Sequence, residues 1–207
     1  MYKIVIGILL FVNILLSVIC LNLFKDKTLL VSGKQSVEDD RLLEVLENNF
    51  KLGIRNDNSI LDTSAVIHDL NKNKISLSEI PTDTPCLVIR FSETNCDECV
   101  RFLLIKVMRL YNSDLFNKRI LLFASYQNRK ALRILIDRLN IKYPVYLIDK
   151  LPIPCEQINY PYCFILDSTK RTSHVFVPDK YEPQVANTYF ELIENRYFKN
   201  GFSETNR

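Results

Sequence analysis

Two sulfurs three positions apart, Cys96 and Cys99 in the stretch FSETNCDECVRF, are the groups in this chain best placed to do chemistry. A thiolate attacks disulfides and also ligates metals. A C-x-x-C pair therefore suits half of a zinc site, a structural bridge or a redox couple. A structural zinc site needs about four ligands. The other candidates are Cys86, Cys155, Cys163, His68 and His174, and they contain no second close pair, so no metal is expected. A bridge from Cys96 to Cys99 would close too short a loop to stabilise much. Thiol–disulfide exchange remains. Cys96 would attack, and Cys99, within reach of it, would resolve the mixed disulfide.

That chemistry requires the pair to sit where a strand ends and a helix begins. There the unsatisfied N–H groups and the helix dipole favour an anion. The run CLVIRFS, Cys86 to Ser92, reads as a strand buried on both faces. From Val100 to Tyr111 the pattern is helical and largely apolar. A strand at Arg119–Ser125, an amphipathic helix at Asn128–Leu139 and a strand at Pro144–Ile148 follow. Ala65–Leu70 and Lys74–Leu77 read as two strands around the polar turn NKNK. Tyr162–Asp167 and TSHVFV form a second hairpin, and Glu182–Phe198 is a closing amphipathic helix with Val185, Tyr189 and Ile193 on one side. A further helix starts at Ser36, a capping residue, and ends near Gly53. Strands alternating with helices predict a layered α/β domain.

Composition removes several function classes. The chain has 207 residues and a net charge of +3, too small a bias to suggest nucleic acid. Four glycines and no Gly-rich phosphate loop argue against a nucleotide, and no cofactor is expected. The N-terminus is distinctive. Residues Ile4 to Phe24 carry no charge, and about 20 apolar residues span a bilayer. A cleaved signal would be shorter and end in small residues. A lipidated Cys20 would usually follow a small residue, where this chain has Ile19. An uncleaved anchor across the lipid bilayer is the expectation, although the balanced flanking charges do not fix its orientation. The expected division is 1–24 anchor, 25–59 linker and amphipathic helix, 60–200 domain and 201–207 tail.

Taken together, HDLNKNKISLSEI, CLVIRFS, NCDEC and YPYCFILDSTKRTSHVFV resemble thioredoxin-like proteins, over about Ile60 to Phe198. With the N-terminal segment, the resemblance is closest to the membrane-anchored TlpA/ResA-type thiol–disulfide oxidoreductases. It implies a three-layer α/β/α fold on the periplasmic, extracytoplasmic side of a single anchor. It also implies protein disulfide or thiol substrates and a membrane electron donor. Pro161 falls where the family has a cis proline packed against the cysteine pair.

The chain departs from that pattern at several positions. Asn95 replaces the aromatic residue, often Trp, that usually precedes the first cysteine, and the chain has no Trp. Asp97, Glu98 and Glu93 are acidic and are expected to oppose the Cys96 thiolate. That would favour the disulfide and make the pair a reductant. Where a peroxidatic motif has Thr and Pro, this chain has Glu93 and Ile89, so peroxidase chemistry is not expected. The missing aromatic favours an alternative, a thioredoxin-fold binding or structural module with little redox activity. Cys155 and Cys163 suit a second disulfide in an oxidising compartment; equally, Cys163 suits a buried strand position. Cys86 reads as core. His68 and His174 read as surface or edge residues, and Tyr160 and Tyr162 as groove-lining or packing residues.

Overall fold

Apolar runs of strand length become the middle of the sheet. The computed structural model describes residues 39–110 and 119–199, together with 13, 16, 17 and 19. Apart from those four residues, the segment 4–24 expected to cross a membrane lies outside the described residues, as do Cys20, Ser36 and the tail 201–207. Among the described residues no helix is long and apolar enough to cross a membrane. Contacts divide the chain into two units, Met1–Glu44 and Val45–Arg207. In the first, Asn13, Leu16, Ser17, Ile19 and residues 39–44 are helical. The second holds the sheet and both cysteines.

Helix α1 covers residues 39–56. A hairpin follows, β1 (Val66–Asp69) and β2 (Lys74–Ser76). Then come β3 (Cys86–Ser92), α2 (Asp97–Leu110), β4 (Ile120–Ser125), α3 (Arg129–Arg138) and β5 (Val145–Leu147). A second hairpin, β6 (Tyr162–Leu166) and β7 (Thr172–Phe176), leads to α4 (Pro183–Ile193), which is continued by a π-helical stretch, Glu194–Lys199. The seven strands lie in the order β2-β1-β5-β4-β3-β6-β7. β3, β4 and β5 are parallel, and β6 runs antiparallel to β3. This is a mixed α/β arrangement, as the resemblance implied, but with a full helical layer on one face only in place of the three layers expected. Its central strand is the one that leads into the cysteine pair.

The two-residue period of a strand sorts the core. Leu87, Ile89 and Phe91 of β3 join Ile120, Leu122 and Ala124 of β4 and Cys163 and Ile165 of β6 on one face. Val100, Leu103, Leu104 and Val107 of α2 pack there, with Leu132 and Ile136 of α3 and Ala186, Phe190 and Ile193 of α4. Cys86 and Val88 alternate to the other face, beside Leu121, Phe123, Phe164 and Leu166. In place of a full helical layer, that second face is closed by Leu77 and Ile80 after the first hairpin, Leu151, Ile153 and Cys155 after β5, and Leu52 of α1.

Side-chain and backbone hydrogen bonds tie 49–61 to the far edge of the sheet. The Asn49 side chain donates to the Val177 carbonyl at 3.1 Å and accepts from the Val177 N–H at 2.7 Å. Asn58 N–H donates to the Thr172 carbonyl at 2.7 Å, and Leu61 N–H to the Lys170 carbonyl at 2.9 Å.

Candidate functional site

The turn after β3 carries the chain from strand to helix in four residues. Asn95 Oδ1 accepts from the Ser92 N–H at 2.8 Å, and Asn95 N–H donates to the Ser92 carbonyl at 3.2 Å. Cys96 is the last residue before α2, and its carbonyl accepts from the Val100 N–H at 3.0 Å. Cys96 therefore caps the helix. A capping side chain faces the free N–H groups of the second and third helical residues. Here those residues are Glu98 and Cys99.

That position governs the chemistry of both sulfurs. Cys96 is exposed and Cys99 is partly buried, and each is a free thiol. The Cys96 thiol is held below its ordinary range. The hydrogen bond from the Cys99 thiol is the largest cause; the Cys99 and Glu98 backbone N–H groups and the Lys180 charge act in the same direction. Cys99 is pushed up to about 11, first by burial and then by its bond to Cys96. The first sulfur is thus open to solvent and more easily ionised than an ordinary thiol. The second keeps its proton and donates it to the first.

The acids do not act on Cys96 as their sequence position suggested. Glu98 forms an ion pair with Lys180, from the loop between β7 and α4. Glu93 turns to the start of α3, where its carboxylate accepts from the Gln127 N–H at 3.1 Å and the Asn128 N–H at 3.4 Å. Asp97 lies in the first turn of α2, where a carboxylate favours the helix dipole. The expectation that these three acids make the thiolate costly is overturned: the Cys96 thiol is held low by the Cys99 thiol first, and then by helix N–H groups and Lys180.

Pro161 also differs from expectation. Its peptide bond is trans, as no cis bond occurs among the described residues. Trans is the favoured state of an X–Pro bond. The Pro161 loop reaches the active turn through a side chain instead. Asn159 Oδ1 accepts from Thr94 Oγ1 and from Asn95 Nδ2, each at 3.3 Å. Asn95, in the position of the missing aromatic, links β3, the cysteine turn and this loop.

Cys155 and Cys163 are separate buried thiols, so the second disulfide is absent. Cys163 lies on the helical face of the sheet and Cys155 on the opposite face, and the sheet stands between them. Burial pushes Cys155 up to about 12 and raises Cys163 strongly as well. Cys86 packs in the core. His174 lies on the edge strand β7, half-buried against the edge of the Tyr197 ring, 5.5 Å between centroids.

Behind the cysteine turn lies a cleft of about 260 Å³, lined by Asn95, Ser125, Asn159 and Tyr160 at its mouth and by Arg90 and Glu156 deeper in. Arg90 is 3% exposed. Its Nε donates to both Glu156 oxygens at 3.2 and 3.1 Å, Nη1 to the Ile148 carbonyl at 2.9 Å and Nη2 to the Asp149 carbonyl at 2.8 Å. Tyr162 OH donates to Glu156 at 2.6 Å. Tyr162 therefore packs as well as lining the cleft, and burial raises its phenol far above the usual range. The residues that sequence reading missed are Lys180, Asn159 and Glu156. Lys180 sits in PDKYEP, a turn-rich stretch whose charges give no sign of a distant partner. Among the described residues no group of three or more His, Cys, Asp or Glu could hold a metal ion.

No protein-family model matches this chain, and no curated protein is similar to it. Solved structures are similar at low identity. An uncharacterized thioredoxin-like protein from Porphyromonas gingivalis is 17% identical over 65% of this chain and 92% of its own, with a TM-score of 0.46. The thioredoxin domain of a thiol-disulfide oxidoreductase from Bacteroides vulgatus is 14% identical over 64% of this chain and 97% of its own, with a TM-score of 0.47. A secreted thiol-disulfide isomerase from Corynebacterium glutamicum is 15% identical over 63% of this chain and 84% of its own, with a TM-score of 0.42.

Proposed function

We propose that the chain is a thiol–disulfide oxidoreductase of the TlpA/ResA type, tethered to a membrane and acting on proteins outside the cytoplasm. The observation that carries this reading is the asymmetry of the pair: an exposed, easily ionised Cys96 capping α2, with a protonated Cys99 donating to it.

The reaction follows from that asymmetry. The Cys96 thiolate attacks one sulfur of a substrate disulfide. The substrate S–S bond breaks, a Cys96–substrate disulfide forms, and the departing sulfur takes up a proton. Once Cys96 is no longer an anion, Cys99 loses the group it was bonded to. Cys99 gives up its proton to solvent and attacks Cys96 Sγ. The second substrate sulfur leaves and is protonated. The substrate has gained two electrons and two protons, and Cys96–Cys99 is a disulfide. A dithiol donor on the membrane side must then return two electrons. The uncharged segment 4–24 supports a tether, which would raise the local concentration of such a donor.

Stabilising the Cys96 thiolate also stabilises the reduced pair, which makes it less reducing. The acids at 97 and 98 thus give no reason for a strongly reducing potential. Reduction of substrate disulfides then goes with an intermediate value, between about −270 mV, the thioredoxin level, and about −180 mV.

Trapping tests the proposal. Cys99→Ser should accumulate mixed disulfides with substrate proteins, reversed by dithiothreitol and absent in Cys96→Ser. If Cys99→Ser forms none, the chain is a binding module built on the same fold.

A further inference from the structure

One lysine, distant in sequence, supplies the positive charge beside the reactive pair. Lys180 lies 82 residues beyond Glu98, and their side chains form an ion pair. The lysine side chain is 22% exposed and the glutamate 76%, so the lysine is the fixed member and the acid the mobile one. The loop that carries it is braced. Asp179 Oδ1 accepts from the Tyr181 N–H at 2.7 Å, Glu182 N–H donates to the Asp179 carbonyl at 3.2 Å, and the Lys180 ammonium sits 5.0 Å from the centre of the Tyr181 ring. An exposed ion pair contributes little to stability. This pair, however, engages the residue between the two cysteines.

We propose that Lys180 is a positioning residue for Cys96: it holds the Glu98 carboxylate and keeps a positive charge in front of the attacking sulfur. The inference deepens the oxidoreductase reading and rests on it. Among the described residues, the charged and titratable groups placed about the pair are Asp97, Glu98 and Cys99 on α2, Glu93 in the preceding turn, Tyr126 after β4, which faces Asp97 and Glu93, and Lys180 and Asp179 on the β7–α4 loop, the latter acting on Cys99. Glu93 is bonded to the start of α3. Lys180 is the one cation in that set, and Glu98 is its ion-pair partner.

Removing each partner should therefore act in opposite directions. Lys180→Met leaves Glu98 as an uncompensated acid beside the sulfur and withdraws the cation. Glu98→Gln frees Lys180 to face the thiolate. A merely structural ion pair would give both variants the same sign. The experiment measures iodoacetamide alkylation of Cys96 in the full chain from pH 5 to 9, with Cys96 and Cys99 distinguished by mass spectrometry.

At pH 7, Lys180→Met should slow alkylation about threefold and Glu98→Gln should speed it about threefold, a modest change because the site is open to water. The double variant should lie near wild type, Lys180→Arg should restore the rate, and about 0.5 M salt should shrink all differences. Equal signs, no change, or failure of Lys180→Arg to restore the rate would overturn the proposal. If Lys180→Met does not fold, Glu98→Gln and Lys180→Arg decide it by the same criteria. Alkylation needs no substrate, so absence of trapped mixed disulfides would remove the oxidoreductase reading without moving these rates.

Discussion

The strand that delivers the cysteines carries a buried charge, and replacing it should be costly in a specific way. In Arg90→Met, the carbonyls of Ile148 and Asp149 lose their guanidinium donors, and Glu156, 15% exposed, keeps only the Tyr162 hydroxyl. Breaking a buried pair from one side costs about 3–5 kcal/mol, because the remaining charge is stranded. A domain has about 5–15 kcal/mol in total. Arg90→Met should thus lose a large share of the stability. Glu156→Gln keeps an acceptor for Arg90 and should cost less, about 1–3 kcal/mol.

The double variant Arg90→Met with Glu156→Met removes both charges and should be more stable than Arg90→Met alone, despite carrying one more substitution. Urea unfolding of the full chain in mild detergent, with thiols kept reduced, reads all three. Far-UV circular dichroism is the probe, since the chain has no Trp. A loss under about 1 kcal/mol for Arg90→Met would show that the pair does not hold this face. A double variant no more stable than Arg90→Met alone would show that the two residues are not coupled.

Two further outcomes follow from local features. Asn128 caps α3, its side-chain oxygen accepting from the Lys130 N–H at 3.1 Å and the Ala131 N–H at 3.2 Å; Asn128→Ala should cost about 1 kcal/mol in the same unfolding assay. Cys155 keeps its proton in the fold up to about 12, whereas the unfolded thiol ionises near about 8.5. The unfolded state therefore loses its proton first, and the stability present below about pH 8.5 declines as pH rises toward 12. Cys155→Ala should reduce that alkaline loss without abolishing it, because Cys163 and Tyr162 are raised in the same direction; unchanged pH dependence in Cys155→Ala would count against the burial argument.

What the sequence disclosed and what it concealed divide along a physical line. β3 was legible because a strand buried on both faces must be apolar throughout, and the pair that follows it marks a helix start. Both properties are local. Arg90 interrupts that run and went unread in the sequence, although a buried guanidinium must have an acceptor nearby. Its partner, Glu156, is 66 residues away in a loop without periodicity, so nothing in the sequence pointed to it. Cys155 and Cys163 were undecidable for a similar reason. Strand alternation assigns Cys163 to a face, but no periodicity assigns Cys155, which sits in a 3-10 turn.

The acids beside Cys96 show the limit most clearly. Counting charges along the chain put Glu93, Asp97 and Glu98 close to the sulfur, yet an electrostatic effect depends on where a side chain points and what it pairs with. Glu93 is turned toward α3, and Glu98 is held by a lysine that the fold brings in from beyond β7. The same reasoning separates the cysteines themselves. Their order before a helix already assigned attack to Cys96 and resolution to Cys99; the fold supplies the physical basis, because a one-turn difference in helix position makes one the exposed capping residue and the other a partly buried donor. That inequality allows one sulfur to attack while the other waits.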